Sequence, residues 1–225
     1  MKSTLMPDDR SILLDRIAGS LAEHGLILRG GFNFCPDEDA PARAVLLVGH
    51  DGVEYWPQFQ AWRALNPEIH DPLDSWSREI VDGVAAAAGG RAVYPNDRPY
   101  MPFQQWAMRA EGLKPSPLGI LMHPEFGLWH AYRGALLFNT EIPIPVFRGS
   151  SHLCDLCDGK PCLNTCPVGA FTAGGYDVAT CRDHVRGEGV TCLEQGCLAR
   201  NACPHDAYRY PPDVQAFHMA AFMGN

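Results

Sequence analysis

The most chemically informative feature of this sequence is a concentration of cysteine near its C-terminal end. The 225-residue chain has nine cysteines, and only Cys35 lies before residue 150. A chain in a reducing compartment keeps its thiols reduced and usually uses a cysteine cluster for metal binding or catalysis. We therefore expect the remaining eight to bind metal. They are Cys154, Cys157, Cys162, Cys166, Cys181, Cys192, Cys197 and Cys203.

The eight thiols form two runs, and each run contains a Cys-Pro step, at Cys166-Pro167 and Cys203-Pro204. This arrangement resembles the two-cluster bacterial ferredoxins, in which the cysteine before proline serves the cluster of the other run. The resemblance implies two 4Fe-4S clusters. One would be held by Cys154, Cys157, Cys162 and Cys203, and the other by Cys166, Cys181, Cys192 and Cys197.

The first run departs from the ferredoxin spacing. Four residues separate Cys157 from Cys162, where the bacterial motif has two. Gly159 and Pro161 within this insertion predict a local turn. Structural zinc, which takes four thiolates tetrahedrally, is the alternative. Spacing alone does not exclude zinc, but zinc leaves the two Cys-Pro steps unexplained, so clusters are favoured. Cys35 is expected to be a small buried side chain.

Charge and hydropathy limit the partners. The chain has 18 Lys and Arg against 26 Asp and Glu, a net charge of -8, without a basic block. This balance argues against nucleic acid as a partner, because a protein surface that binds phosphates needs clustered positive charge. No apolar run approaches the roughly 18 residues of a membrane span. The first residues carry Asp8, Asp9 and Asp15 instead of a signal-peptide core. The sequence therefore predicts a cytoplasmic protein without a membrane partner.

The pattern of apolar residues before residue 150 predicts an α+β fold. Residues 50 to 72 are expected to be irregular. Residues 118 to 122 and 128 to 138 predict a β-hairpin around the turn at 123 to 127. Pro143, Pro145 and Gly149 predict a stiff connector between two domains. We therefore expect one domain over residues 1-148 and a second over residues 149-225. The other predicted elements are helices at 8–24, 74–88 and 102–110 and strands at 44–48 and 91–94.

The hairpin segment carries a second resemblance. It reads Leu121-Met-His-Pro-Glu-Phe-Gly-Leu-Trp-His-Ala-Tyr-Arg-Gly134. This run resembles the signature hairpin of the vitamin B12 processing proteins, the cobalamin decyanase and dealkylase family. Two further segments, Trp56–Trp62 and Tyr94–Pro99, resemble segments that occur in the same order along the sequences of that family. The cysteine order is similar to that of epoxyqueuosine reductases and reductive dehalogenases, which join a nitroreductase-like corrinoid domain to a two-cluster ferredoxin module.

These resemblances imply a nitroreductase-like domain that binds cobalamin, followed by a small ferredoxin-like iron-sulfur domain. Electrons from a donor protein or a thiol would pass through the clusters to cobalt, because the corrin carries the difficult chemistry. Strand alternation puts Trp129 and Arg133 on one face of the hairpin. The expected corrinoid contacts are His123, Phe126, Gly127, Trp129, Arg133 and Gly134.

Several functions remain open at this point. The sequence names no catalytic residue, so whether the protein is an enzyme is left open. One alternative is a ferredoxin-like electron carrier without a corrinoid. Another is an epoxyqueuosine-reductase-like enzyme, for which a catalytic carboxylate and a basic surface are missing. A third is a zinc-stabilised interaction module without a redox role.

Overall fold

The first part of the chain is organised around a four-stranded sheet with strand order β1-β2-β6-β3. The computed structural model describes residues 7–145, 149, 151–172, 175–187 and 190–224, with side chains from residue 12. Helices α1 and α4 contact β1, and α3 contacts β3. The elements around the sheet are α1 (Pro7–Ala22), β1 (Ile27–Asn33), β2 (Ala44–Asp51), α2 (Trp56–Leu65), α3 (Pro72–Ala87), β3 (Arg91–Val93), α4 (Phe103–Glu111) and β6 (His130–Phe138).

The later part of the chain consists of short elements. The two-stranded sheets are β4 (Lys114–Pro115) with β5 (Leu121–Met122), and β7 (Phe171–Thr172) with β8 (Gly175–Tyr176). A 3-10 helix covers Leu153–Leu156. The α-helices are α5 (Pro161–Asn164), α6 (Val178–Val185), α7 (Thr191–Gln195), α8 (Leu198–Asn201) and α9 (Pro212–Gly224). Within the described ranges, no helix is both long and apolar enough to cross a membrane.

The chain divides into two units, each folded around its own contacts. Unit 1 contains the described residues up to Gly112 and then Ala131–Gly149, while unit 2 contains Leu113–His130 and the described residues from 151 onward. The sequence analysis placed a boundary at residue 148. The last residue of unit 1 lies next to that position, but the segment Leu113–His130 groups with the cysteine-rich part.

The predicted mixture of helices and strands is confirmed. The helices expected at 8–24, 74–88 and 102–110 correspond to α1, α3 and α4, and the strands expected at 44–48 and 91–94 correspond to β2 and β3. The expectation of irregular structure over 50–72 was wrong, because α2 begins at Trp56 with a proline in its first turn. Proline is well suited to that position, since an N-H group there has no intrahelical partner. Strand β1 was not predicted.

The predicted hairpin of residues 118–138 was also wrong. Strand β5 pairs with β4, with Lys114 opposite Met122, whereas β6 lies between β2 and β3. The bridge between His123 and Gly127 lies inside the expected turn, and no strand pairing joins the two expected arms within residues 118–138. The physical reason is burial: residues 134–138 are all buried, and a strand buried in this way requires neighbours on both edges to pair its backbone.

Candidate metal centres

Four cysteines of unit 2 line one small hollow, of about 20 Å³. They are Cys154, Cys157, Cys162 and Cys203, and we call them the first group. Cys154 and Cys203 are 9% and 6% exposed. The structure therefore brings Cys203 to three cysteines that lie more than 40 positions earlier in the chain.

The thiols of the first group act on one another electrostatically. Burial, followed by the charges of the neighbouring Cys203, Cys162 and Cys157, raises the pKa of Cys154 to about 11. Burial is also the main reason for the raised pKa of the Cys203 thiol, followed by Cys162 and Cys157 among the side chains. A buried set of thiols resists ionisation unless a cation is present, because each new negative charge lies close to the others.

The other four predicted ligands line a second hollow, of about 230 Å³. They are Cys166, Cys181, Cys192 and Cys197, and we call them the second group. Burial raises the pKa of Cys192 and of Cys197, and Cys181 raises both through its charge. The two groups thus contain the same members as the two ligand sets that the ferredoxin resemblance implied.

Backbone N-H groups point at several of these sulfurs. Ala170 N donates to Cys166 Sγ over 3.3 Å. The backbone N-H groups of Ala199 and Arg200 lower the pKa of Cys197 against the larger effect of burial, and that of His205 does the same for Cys203. Donors of this kind stabilise negative charge on sulfur, but burial has the larger effect and the pKa values of Cys197 and Cys203 remain raised.

Both groups contact one apolar cluster. Its buried members include Cys154 and Cys203 of the first group together with Ala199, and Cys166 and Cys197 of the second group pack against it. Leu118, Met122 and Leu128 complete the buried part of this cluster. The two groups consequently share a continuous, water-poor neighbourhood.

The insertion between Cys157 and Cys162 makes the turn that the sequence predicted. Gly159 has φ 68° and Lys160 has φ 37°, after which Pro161 begins α5. Lys160 Nζ donates to the carbonyl of Cys154 over 3.2 Å. Its positive charge lowers the Cys154 pKa, as the last of the causes that act on that thiol. This lysine was not among the predicted site residues, although its position inside the cysteine motif was a usable signal.

Two further residues around the second hollow were not anticipated. Tyr176 and Arg200 both line it. Arg200 Nη2 donates to the carbonyl of Leu128, and its guanidinium carbon lies 4.3 Å from the centre of the Trp129 ring. No sequence pattern indicated either contact, because both join residues distant in the chain.

Four of the expected corrinoid contacts belong to unit 2. The rings of His123 and Phe126 stack 4.0 Å apart, and Phe126 meets Tyr208 edge to face at 5.0 Å. Trp129 is fully buried and lies 5.4 Å from the Tyr210 ring. Gly127 has φ 61°, and a Cβ there would lie 2.5 Å from His205 O. These residues pack against the segment that follows Cys203.

The other two expected contacts belong to unit 1. Arg133 lies on β6 and faces a hollow of about 60 Å³, together with Asp74, Arg78 and Asn96. Its Nη2 is 3.6 Å from Asp74 Oδ1. Gly134 is buried, and a Cβ there would lie 3.2 Å from the Tyr94 ring. Trp129 precedes the first residue of β6, so the strand alternation that predicted a shared face with Arg133 does not extend to it.

Cys35 is exposed, contrary to the expectation of a buried side chain. Its sulfur lies 4.0 Å from Arg109 Nη2, and its backbone N-H donates to Glu38 Oε2 over 3.1 Å. The segment after β1 leaves the sheet at this point, which removes the apolar surroundings that a buried thiol requires.

Neither a protein-family model nor a curated protein matches this chain. In the part of the chain that the structure describes, no set of three or more His, Cys, Asp or Glu side chains is placed to hold a single metal ion.

Proposed function

We propose that this protein is an iron-sulfur redox protein that holds two 4Fe-4S clusters and delivers electrons to the cobalt of a corrinoid. One observation carries the proposal: the eight cysteines of unit 2 separate into two groups of four around two hollows. Cys203 joins the run of Cys154 to Cys162, while Cys166 leaves that run for the second group. This exchange of the cysteine before proline is the pattern of two-cluster ferredoxins.

The chemistry of the donors suits clusters better than zinc. A 4Fe-4S cubane takes one thiolate at each of four irons, so its ligands line a hollow. A zinc ion draws four thiolates to one point at about 2.3 Å. Here each group of four cysteines lines a hollow, and among the described residues no three of them are placed to hold a single metal ion. Backbone donors to Cys166 and Cys197 suit sulfurs whose charge changes in a redox reaction.

The shared apolar cluster supports transfer between the two centres. Ala199 is fully buried and belongs to the same cluster as Cys154, while Cys197 packs against it. A low-dielectric wall common to both groups adjoins Cys154 and Cys203, which are buried. Burial and hydrogen bonding are among the factors that set cluster potentials.

The corrinoid part of the proposal draws on the loop at His123–Gly127. Its sequence resembles the B12-processing hairpin, and its flanking residues Met122 and Leu128 line the hollow of the first group. A corrinoid bound along this loop would lie beside the first cluster, as one-electron transfer requires. When bound, the corrinoid supplies the cobalt that accepts the electron. Arg133 is a corrinoid contact that the same resemblance implies, and its planar guanidinium suits an amide or a carboxylate.

The first experiment is anaerobic reconstitution of the full chain with iron and sulfide, followed by iron, zinc and sulfide analysis. We expect about eight irons per chain, because two cubanes contain four each, and a broad visible absorption that bleaches on reduction. Two zinc ions without visible absorption would overturn the proposal in favour of an interaction module.

The second experiment adds cobalamin to the reconstituted protein and follows its absorption spectrum before and after reduction. Binding with a displaced base tail and reduction of cobalt support the complete proposal. If the protein binds iron but the absorption spectrum of cobalamin does not change, the protein is an electron carrier that does not bind a corrinoid.

Arg133→Ala tests the corrinoid contact. We expect cobalamin affinity to fall by about tenfold or more, since a hydrogen bond to a charged group contributes about 1.5–3 kcal/mol. Arg91→Ala is the control, because Arg91 is an exposed residue of the same unit whose Nη2 bonds the Pro41 carbonyl. Equal affinities in both variants would remove Arg133 from the site.

A further inference from the structure

Tyr176 occupies a defined place beside the second group. It pairs with Phe171 across the small β7–β8 sheet, and the two rings stack with their centres 4.8 Å apart and their planes 13° apart. Both rings line the hollow of the second group. The stacked pair fixes the direction of the tyrosine ring, because rotation would separate the two faces.

The hydroxyl of Tyr176 reaches a cysteine. Tyr176 and Cys181 line the same hollow. The pKa of Tyr176 is raised first by burial and then by a hydrogen bond to the Cys181 side chain and by the charges of Cys181, Cys197 and Cys166. A tyrosine hydroxyl is protonated at neutral pH and donates its proton to an acceptor. Tyr176 is therefore a side-chain donor aimed at a sulfur of the second group, in addition to the backbone donors there.

We propose that Tyr176 sets the reduction potential of the cluster held by the second group, by donating a hydrogen bond to the sulfur of Cys181. This inference rests on the proposed iron-sulfur function. Reduction adds one electron to the cluster, and the cysteine sulfurs carry part of the new negative charge. A donor to sulfur stabilises the reduced state more than the oxidised state, so it raises the potential.

A second tyrosine of the same unit, Tyr208, has a different hydrogen-bond partner and supplies a matched control. Tyr208 donates to Glu125 Oε1 over 3.0 Å, and its ring lies against Phe126. Replacing Tyr208 with phenylalanine removes a hydroxyl from unit 2 without removing a donor to cysteine. Tyr176→Phe likewise retains the ring that stacks on Phe171.

The test is a redox titration of reconstituted wild type, Tyr176→Phe and Tyr208→Phe, followed by electron paramagnetic resonance with parallel iron analysis. We expect Tyr176→Phe to bind the same iron as wild type, to shift one midpoint potential to more negative values and to leave the other in place. Tyr208→Phe should leave both potentials unchanged.

The outcomes separate this inference from the proposed function. Wild-type protein without iron overturns both. Two clusters in every variant with unchanged potentials overturn only the role of Tyr176. An equal shift in the Tyr208→Phe control also overturns it. Loss of four irons from Tyr176→Phe shows a structural role instead and overturns the inference as well.

Discussion

Arg29 and Glu111 form a buried bidentate ion pair in unit 1. Arg29 Nε lies 2.7 Å from Glu111 Oε1, and Nη2 lies 2.8 Å from Oε2. The arginine side chain is 2% exposed and the glutamate side chain 11%. Gly30 N and the hydroxyl of Tyr132 also donate to the carboxylate. Every oxygen of Glu111 is therefore satisfied, which is the condition for keeping such a charge inside a protein.

Arg29→Met should destabilise unit 1 by about 3–5 kcal/mol, because it leaves the Glu111 carboxylate buried without its counter-charge. Urea unfolding followed by tryptophan fluorescence measures the change. Arg43→Met is the control: Arg43 pairs with Glu141 over 2.8 Å, but both side chains are more than a third exposed. An exposed pair contributes about 0–1 kcal/mol, so equal losses in the two variants would contradict this account.

The same pair predicts how unit 1 responds to acid. Burial alone raises the pKa of Glu111, but the charge and hydrogen bonds of Arg29, with those of Tyr132 and Gly30, hold it below the ordinary value of 4.5. The unfolded chain binds the proton more readily. The stabilisation is thus present above about pH 4.5 and is lost as the pH falls through the folded-state pKa.

Glu111→Gln measures that contribution. We expect the free energy of unfolding of the variant to depend less steeply on pH below 4.5 than that of wild type. Parallel urea titrations between neutral and acidic pH give both slopes. Identical slopes would show that Glu111 has the same pKa in the folded and unfolded states.

The crossed grouping of the cysteines predicts which cluster each ligand supports. Cys203→Ala should remove the cluster built on Cys154–Cys162 and reduce iron from about eight to about four per chain. Cys197→Ala should remove the other cluster to the same extent. Paramagnetic resonance spectra of the two reduced variants should then differ from each other.

Cys35→Ala is the control for those variants, because Cys35 is exposed in unit 1 and belongs to neither group. Its iron content should equal that of wild type. Two identical single-cluster spectra from Cys203→Ala and Cys197→Ala would contradict the crossed assignment.

Gly127→Ala should destabilise unit 2 by more than Gly119→Ala. Both glycines have positive φ, 61° and 77°, and a left-handed backbone costs a non-glycine residue about 1–2 kcal/mol. Only at Gly127 would the added Cβ also meet a backbone atom, His205 O at 2.5 Å, while Gly119 has nothing within 4 Å. Thermal unfolding of the two variants gives the comparison, and a larger loss for Gly119→Ala would refute it.

Local patterns predicted much of this fold. Helices α1, α3 and α4 follow from apolar residues at helical spacing, with glycine stops after them, and these signals lie within a few residues of one another. Strand β2 follows from a short apolar run. The predictions that failed concerned elements that depend on contacts with distant residues. Helix α2 has few apolar residues at helical spacing and no glycine stop. Strand β6 has a strand pattern, but that pattern does not specify which strands pair with it.

The candidate site shows the same division. Cysteine spacing and the two Cys-Pro steps named the eight thiols and, through the ferredoxin resemblance, their grouping, because ligand chemistry and motif spacing are properties of the chain itself. The contacts of Arg200 with Trp129 and of Gly127 with His205 were decided only in the tertiary structure. Each joins residues whose separation is set by the path of the backbone, and no local pattern records which distant atoms will share a buried volume.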